Sequence, residues 1–216
     1  MRVREYIVLS AALAVGICCL AQQTTKKDGK AAKTEQKKEQ AAAMPIPKPS
    51  PEIEKLAKTM VGTWKVSGKI LDEHWAPGGA TGSGTEIVRR GPGGFSVISD
   101  SKMTWQKLGP MQGHGVCSWD PGKKALTGLW CDNWAPMCES MGEGKWEGDN
   151  LVYNADMDMG NGQKVPTRMT YNNFTPNGFD WKMEISDGKG GWNPEMTLKY
   201  EKPGAAAPKT EKKPSM

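Results

Sequence analysis

The chain has 216 residues, enough for one domain with tails, and a formal net charge of +5. The positive charge belongs to the two ends, because residues 50–201 hold 16 basic against 19 acidic residues. Binding of nucleic acid needs a basic stripe on the folded surface, which this middle region does not supply, so we exclude nucleic acid as a partner. We expect the Lys-rich ends to be solvated and disordered, with weak attraction to an anionic membrane or cell wall as the alternative.

The first 21 residues have the pattern of an export signal. Arg2 and Arg4 precede an apolar run of roughly fourteen residues, which is short for a membrane span. Cleavage after Ala21 would leave a periplasmic or secreted protein with no transmembrane span. The alternative is a lipid anchor on Cys18 or Cys19, with residues 22–49 as its tether.

A linker and a short helix are predicted next. Residues 22–49 are rich in Lys, Gln and Ala and end in a Pro-rich stretch, which is typical of a disordered, extended linker. Ser50 and Pro51 form a helix start, with Ser at the N-cap and Pro at the first helical position. The apolar residues that follow at helical spacing are Ile53, Leu56, Ala57 and Met60. We predict one amphipathic helix of two to three turns that ends near Gly62.

From Thr63 onward the hydrophobic period changes to two, and ten strand candidates joined by hairpin-length turns follow, up to Glu201. A Gly/Pro-rich connection from Asp72 to Gly84 separates the first two. Successive hairpins without a long crossover favour an up-and-down antiparallel barrel over a sandwich, and closure removes exposed sheet edges. We therefore predict an all-β domain at residues 50–202, a ten-stranded barrel with one short N-terminal helix, followed by a disordered tail at 203–216.

The start of the first strand carries a family resemblance. Gly62-Thr63-Trp64 resembles the Gly-x-Trp signature of lipocalins and fatty-acid-binding proteins. Over roughly residues 45–202 the chain is similar to the bacterial family called domain of unknown function 1579. That similarity implies a lipocalin-like barrel and almost nothing about activity. We assign Gly62 and Trp64 to a seal at the base of the barrel. The other matching stretches are Pro49-Ser50-Pro51-Glu52, Gly93-Gly94-Phe95, the run 113–121, Trp146-Glu147-Gly148-Asp149 with Leu151, and the run 196–200.

The chain lacks the ligand-binding residues of two known classes of β-barrel protein. Fatty-acid-binding proteins carry a helical lid between the first two strands, where this chain is too rich in Gly and Pro. They also carry an Arg-x-Tyr carboxylate clamp, and the last strand here has no Arg. Haem-binding barrels of the nitrobindin type use a histidine close to the C-terminus, whereas this chain has no histidine after His114. We therefore expect no cofactor.

Aromatic and methionine side chains fall on the inward face by parity, and flexible methionines suit adaptable pockets. We predict an exported, monomeric, lipocalin-like protein that binds a small hydrophobic or aromatic ligand non-covalently. Small inward residues such as Gly68, Ser99 and Gly128 leave it some room. The alternative is a structural or partner-binding envelope protein with a filled core and no small-molecule ligand. The candidate pocket residues are Met103, Trp105, Trp130, Met141, Tyr153, Met169, Trp181 and Met183.

Three cysteines lie beyond the signal. An exported protein meets an oxidising compartment, and Cys131 and Cys138 flank a plausible strand connection, so we predict a disulfide between them. Cys117 would then remain as a buried apolar residue. His114 and Cys117 face opposite sides of a regular strand, so we predict no metal site there.

The sequence offers only weak candidates for catalytic residues. Glu139 and Glu143 share parity with inward methionines and could form an inward carboxylate pair, which is useful for general acid–base work. Strand ends near a barrel mouth are often solvated, however, and nothing brings histidine, serine and acid together. We expect the protein not to be an enzyme.

Overall fold

Ten antiparallel strands close into a barrel behind one short helix. This computed structural model describes residues 47–72, 75–158 and 163–204. The expected signal peptide, almost all of the expected linker and nearly the whole C-terminal tail lie outside the described residues. The helix α1 spans Pro51–Met60. The strands are β1 Gly62–Ile70, β2 Ala80–Arg90, β3 Ser96–Trp105, β4 Gly109–Asp120, β5 Ala125–Asp132, β6 Glu139–Glu147, β7 Asn150–Asp158, β8 Lys164–Thr175, β9 Gly178–Ser186 and β10 Trp192–Glu201.

Each strand pairs with its neighbours in the chain, and β10 pairs back with β1 to close the wall. Along β1 the buried side chains are Trp64, Val66 and Ile70, and the residues between them are largely exposed. Period-two alternation is what a wall with one packed face and one wet face requires. The predicted ten-stranded, up-and-down barrel with a single short helix is confirmed.

The helix α1 covers one end of the barrel. The backbone N–H of Ile53 donates to Oγ of Ser50 at 3.2 Å, which caps the helix as its sequence predicts. Its buried face consists of Ile53, Leu56, Ala57 and Met60, the four residues of the predicted apolar stripe. The guanidinium of Arg90 on β2 holds the carboxylate of Glu54 in a two-pronged ion pair at 2.8 and 2.9 Å. Apolar burial and this ion pair together fasten α1 onto the barrel.

The barrel therefore has two distinct ends. We call the end covered by α1, where β1 begins, the helix end, and the opposite end, where β1 ends, the mouth end. Glu201 near the close of β10 pairs with Lys65 near the start of β1. The backbone N–H of Lys202 donates to the carbonyl of Asn177 in the β8–β9 turn. The described chain thus starts and stops at the helix end.

The connection between β1 and β2 is shorter than expected. We predicted that it ran from Asp72 to Gly84, but β2 begins at Ala80. Gly82 and Gly84 lie within the strand, where they pair with Trp105 and Met103 of β3. Glycine in this strand makes room for a large neighbour instead of forming a turn, which is the reason for the error.

The predicted disulfide is confirmed. Cys131 and Cys138 are bonded across the β5–β6 connection, and Cys117 is free and buried. Trp134 lies within the loop that this bond closes, and its ring lies 6.2 Å from the ring of Trp105 at the mouth end. No helix in the described ranges is long and apolar enough to cross a membrane.

Candidate functional site

A small space lies directly beneath α1. It is a cavity of about 40 Å³ between the helix and the middle of the barrel. Leu56 and Met60 reach it from the helix, and Met141 reaches it from β6. The strands bring five side chains with polar atoms to the same space, namely Glu86, Ser99, Cys117, Tyr153 and Tyr171. The cavity is thus mostly apolar with a few polar groups, which is the usual composition of a small-molecule site.

Glu86 is a carboxyl inside the barrel. It follows the inward parity of Val88 on β2, and only 7% of its surface is exposed. The hydroxyl of Tyr200 on β10 donates to its Oε2 at 3.2 Å. Burial raises the pKa of Glu86 to about 7, against the opposing hydrogen bond from Tyr200, and the nearby charge of Asp100 raises it further. Near pH 7 the carboxyl therefore exists in both its protonated and ionised forms.

A thiol and a phenol meet on the other side of the cavity. Sγ of Cys117 and Oη of Tyr153 lie 3.1 Å apart within the core. Burial raises the pKa of the Cys117 thiol to about 11 and holds the pKa of Tyr153 well above its ordinary value. Tyr171, which also lines the cavity, has its pKa raised by burial. These groups are neutral at pH 7, and a neutral buried thiol is a weak nucleophile.

The eight predicted pocket residues occupy different parts of the interior. Met141 and Tyr153 line the cavity beneath α1. Met103, Trp105 and Met183 are buried elsewhere in the barrel, and the remaining three residues are half-buried. The structure does not bring all eight around one space, and their role in binding a ligand stays a prediction. The three half-buried residues are Trp130, Met169 and Trp181.

Three large aromatic side chains of the interior lie against a glycine on the neighbouring strand. Trp105 is the direct cross-strand partner of Gly82, and a methyl group built on Gly82 would overlap its ring. The other two direct pairs are Trp130 with Gly115 and Tyr153 with Gly144. Glycine leaves the surface of the wall flat, so each ring can lie close to the backbone opposite it. The rings therefore pack along the wall.

Trp64 lies at the helix end, where we placed the seal of the barrel. It is 1% exposed, its Nε1 donates to the carbonyl of Met60 at 2.8 Å, and its ring meets the ring of Phe179 edge-on at 5.0 Å. Gly62 next to this ring adopts a φ of +157°, a positive value that residues other than glycine rarely adopt. The ring thus ties the last turn of α1 to the first strand.

One indole at the mouth side has an unpaired polar atom. The Nε1 of Trp105 is buried and has no hydrogen-bond partner among the described residues. An unsatisfied buried donor costs free energy, which is partly offset here by the packing of the ring on Gly82.

The structure shows which face of the wall four polar residues singled out in the sequence occupy. His114 lies on the outer face of the wall with its Nδ1 2.6 Å from Oδ1 of Asp100, while Cys117 points inward. Glu139 and Glu143 do not form the inward pair that their shared parity would allow. Glu139 pairs with Trp130, whereas Glu143 pairs with Thr127 and meets Lys123 outside the barrel. An irregularity in the β5–β6 register breaks the parity between the two carboxylates.

Glu86 is the functional candidate that the sequence reading missed. Its signal was present, because Glu86 and Val88 are two residues apart and so share a face of β2. The strand had been started at Thr85, so the alternation was too short to show an acidic residue on the inward face.

The match to a family model covers the whole barrel. The model described as a protein of unknown function, DUF1579, matches residues 48–202. The chain belongs to the DUF1579 family. The described barrel occupies the same stretch, so members of DUF1579 that share this sequence pattern are expected to share the closed wall and the helix. A comparison with curated proteins finds no match.

Several solved structures are similar to this chain. The crystal structure of Rv2717c from M. tuberculosis is similar with a TM-score of 0.51 and 9% identity, covering 72% of this chain and 99% of that one. A de novo designed fluorescence-activating β-barrel has a TM-score of 0.38 and 11% identity, covering 68% and 96%. A redesigned barrel bound to DFHBI, mFAP0, has a TM-score of 0.36 and 14% identity, covering 67% and 99%. At these identities the likeness concerns the fold alone.

Proposed function

We propose that this DUF1579 barrel binds a small, mainly apolar molecule non-covalently in the space beneath α1. The cavity between α1 and the polar groups of the wall carries this proposal. Apolar walls provide the driving force for binding by removing the ligand from water, and a few polar atoms fix its orientation. The methionines Met60 and Met141 at its edge have flexible side chains that can adapt to a guest.

The size of the cavity limits the ligand. Pockets for drug-sized molecules measure roughly 300–1,000 Å³, and this cavity measures about 40 Å³. A guest of a few non-hydrogen atoms fits without rearrangement. A larger guest requires Met60, Met141 or Leu56 to move.

The same small volume favours a second function. A barrel whose interior is filled by its own side chains can serve as a structural or partner-binding envelope protein. The rings of Trp105, Trp130 and Tyr153 on their glycine partners fill much of the wall in this way. The two functions differ in whether the cavity has a specific occupant.

We propose further that the protein acts outside the cytoplasm and without catalysis. A disulfide such as Cys131–Cys138 persists in oxidising compartments. The thiol and phenols that line the cavity have raised pKa values, so they lack the charged form that a nucleophile or base uses.

Native mass spectrometry of the protein purified from its own host tests the binding function. We expect a bound small molecule whose mass disappears on unfolding. Val97 lines the cavity, so Val97→Ile fills part of it with one methylene and should lower occupancy at least tenfold. Val152 is buried but does not line the cavity, so Val152→Ile is the matched control and should retain the molecule. If the wild-type protein carries no bound molecule, the second function, that of a structural or partner-binding envelope protein, is favoured.

A further inference from the structure

We propose that Glu86 selects the guest by accepting a hydrogen bond from it, so that the cavity takes small protonated amines and neutral N–H or O–H donors and rejects anions. This inference rests on the proposed binding function and names the chemical class of its ligand. It assigns to the barrel a preference opposite to that of a carboxylate clamp, because the group at the centre of the site is itself a carboxyl.

The charges around the cavity disfavour an anionic guest. Glu86 is the single acidic residue among the described residues that line it, and no Lys, Arg or His is among these. Both cations of the same strand have acidic partners: Arg90 is held by Glu54 through both of its terminal nitrogens, and Arg89 meets Asp100. Asp100 on the outer face of β3 adds negative potential. A guest therefore meets a neutral or negative environment, and an anion would lose its hydration without gaining a cationic partner.

The carboxyl of Glu86 has the capacity to accept further hydrogen bonds from a guest. An ionised carboxylate can accept about four hydrogen bonds, and from the described residues Glu86 receives one, donated by Tyr200. The ring of Tyr200 is stacked on Phe179 with centroids 4.3 Å apart, which fixes the direction of its hydroxyl. Tyr200 is thus a positioning residue that holds Oε2, while the carboxyl borders the cavity and can accept further bonds from a guest.

The size and lining of the cavity suit a small guest with one hydrogen-bond donor and an apolar carbon. A cavity volume of about 40 Å³ exceeds the roughly 10–15 Å³ that one water molecule needs in a cavity, and so suits a head group of two or three non-hydrogen atoms. Leu56, Val88 and Leu151 provide apolar walls around that head group. A methylated amine or a small alcohol meets both demands, because its donor faces Glu86 and its carbon faces these walls.

The charge state of Glu86 adds a pH dependence for cationic guests. The groups near Glu86 are Tyr200 on β10, Tyr171 on β8, Cys117 on β4 and Tyr153 on β7 inside the barrel, with Asp100 on the outer face of β3. The four interior groups stay neutral near pH 7 because their pKa values are raised. Glu86 is then the group in the cavity that titrates, and binding of a cation requires its ionised form.

The test uses three probes of similar size on the full chain: methylammonium, methanol and formate. Binding is followed through backbone amide resonances of Gly115 and Cys117, which line the cavity. At pH 8.5 we expect methylammonium and methanol to shift them saturably and formate to leave them unchanged. At pH 5.5 methylammonium should bind at least tenfold more weakly, while methanol should change less than threefold.

Two variants separate the role of Glu86 from a general effect on folding. Glu86→Gln keeps the shape but removes the charge, and it should weaken methylammonium at least tenfold while methanol stays within threefold. Tyr200→Phe removes the positioning hydroxyl, and it should keep the preference for methylammonium over formate while moving its pH midpoint upward. Val152→Ile should behave as wild type.

The results that overturn the proposal are distinct from those that overturn the binding function. Formate binding as tightly as methylammonium, or an unchanged methylammonium affinity in Glu86→Gln, would show that Glu86 selects nothing. Xenon reports whether an apolar guest can enter at all. If xenon binds and none of the three polar probes binds, the selection by Glu86 is refuted and the binding function remains. If neither xenon nor any of the three probes binds, both proposals are refuted.

Discussion

Tyr200 and Glu86 are linked across the inside of the barrel by a hydrogen bond of 3.2 Å, although 114 positions separate them in the chain. Tyr200 belongs to β10 and Glu86 to β2, and both strands flank β1. The bond therefore spans the place where the last strand closes against the first. It also holds the carboxyl of Glu86, the one acidic residue among the described residues that line the cavity.

The buried carboxyl makes stability depend on pH. Glu86 ionises near 4.5 in the unfolded chain and near 7 in the folded protein, chiefly because burial disfavours its charge. The folded state therefore holds an extra proton between these values, so stability falls as pH rises through this window and levels off above it. The loss amounts to about 3 kcal/mol at most. Urea unfolding of wild type and Glu86→Gln at pH 4.5, 6 and 8 measures it.

The difference between the two proteins isolates Glu86 from other groups. Glu195 near Asp72 also has its pKa raised to about 7, and it titrates in both proteins. We expect Glu86→Gln to gain stability relative to wild type as pH rises from 4.5 to 8. A difference that stays constant over this range would contradict the raised pKa of Glu86.

The pairing of glycine with tryptophan predicts a steric penalty. Gly82→Ala places a methyl group against the ring of Trp105, so the ring must leave its position on the wall. Overpacking of this kind costs about 1–3 kcal/mol. In a Trp105→Leu background the ring is gone, and the same substitution should cost much less. A double-mutant cycle by denaturant unfolding measures this coupling, and additive effects of the two changes would contradict it.

The disulfide closes a short loop at the mouth end. Replacing both Cys131 and Cys138 with Ser should lower the free energy of unfolding by about 2 kcal/mol, because the unfolded chain regains freedom. Thermal unfolding of the variant is compared with that of wild type, with and without a reducing agent. The reducing agent should shift wild type toward the variant and leave the variant unchanged. Equal stability of the oxidised wild type and the variant would refute a stabilising role.

Truncation of Leu56 should enlarge the cavity. Leu56 is buried and contributes a wall of the space beneath α1. Leu56→Ala should cost about 2–5 kcal/mol, as is usual for large-to-small changes in a core. Apolar engineered cavities near 150 Å³ bind benzene or xenon, so benzene should raise the Tm of this variant more than that of wild type. Leu71→Ala, at an exposed position, is the control and should show neither effect.

Much of the fold could be predicted because its causes are local. The alternation of apolar and polar residues along β1 marks one wet face and one packed face, and turns rich in Gly and Asn separate the strands. Ser50 followed by Pro51 fixes the start of α1 in the same local way. The predicted disulfide followed from the loop that separates Cys131 and Cys138.

The errors arose where a residue's role depends on a partner strand. Gly82 reads as a turn residue in the sequence, but it lies inside β2 because Trp105 on β3 needs a flat surface opposite it. Glu139 and Glu143 read as neighbours on one face, but the register shift between β5 and β6 separates them. Neither effect is visible in the period of a single strand.

The candidate site was predictable only in its general character. The inward methionines and aromatics indicated an apolar interior, and Met141 and Tyr153 do border the cavity. The volume of the space could not be predicted, because it depends on how α1 and the wall interlock. The carboxyl of Glu86 was hidden for a simpler reason, since β2 begins five residues before the predicted start at Thr85.

The described chain enters through Pro47 and leaves through Gly204, and both flank the pole that α1 covers. A surface attachment, affinity handle or fusion partner joined through either of these positions would therefore hold the barrel by the same pole. The opposite pole, with Trp134 and the disulfide-closed loop, would face away from the support in both cases. Immobilisation through either of these two positions should thus leave that loop equally open to a soluble binding partner.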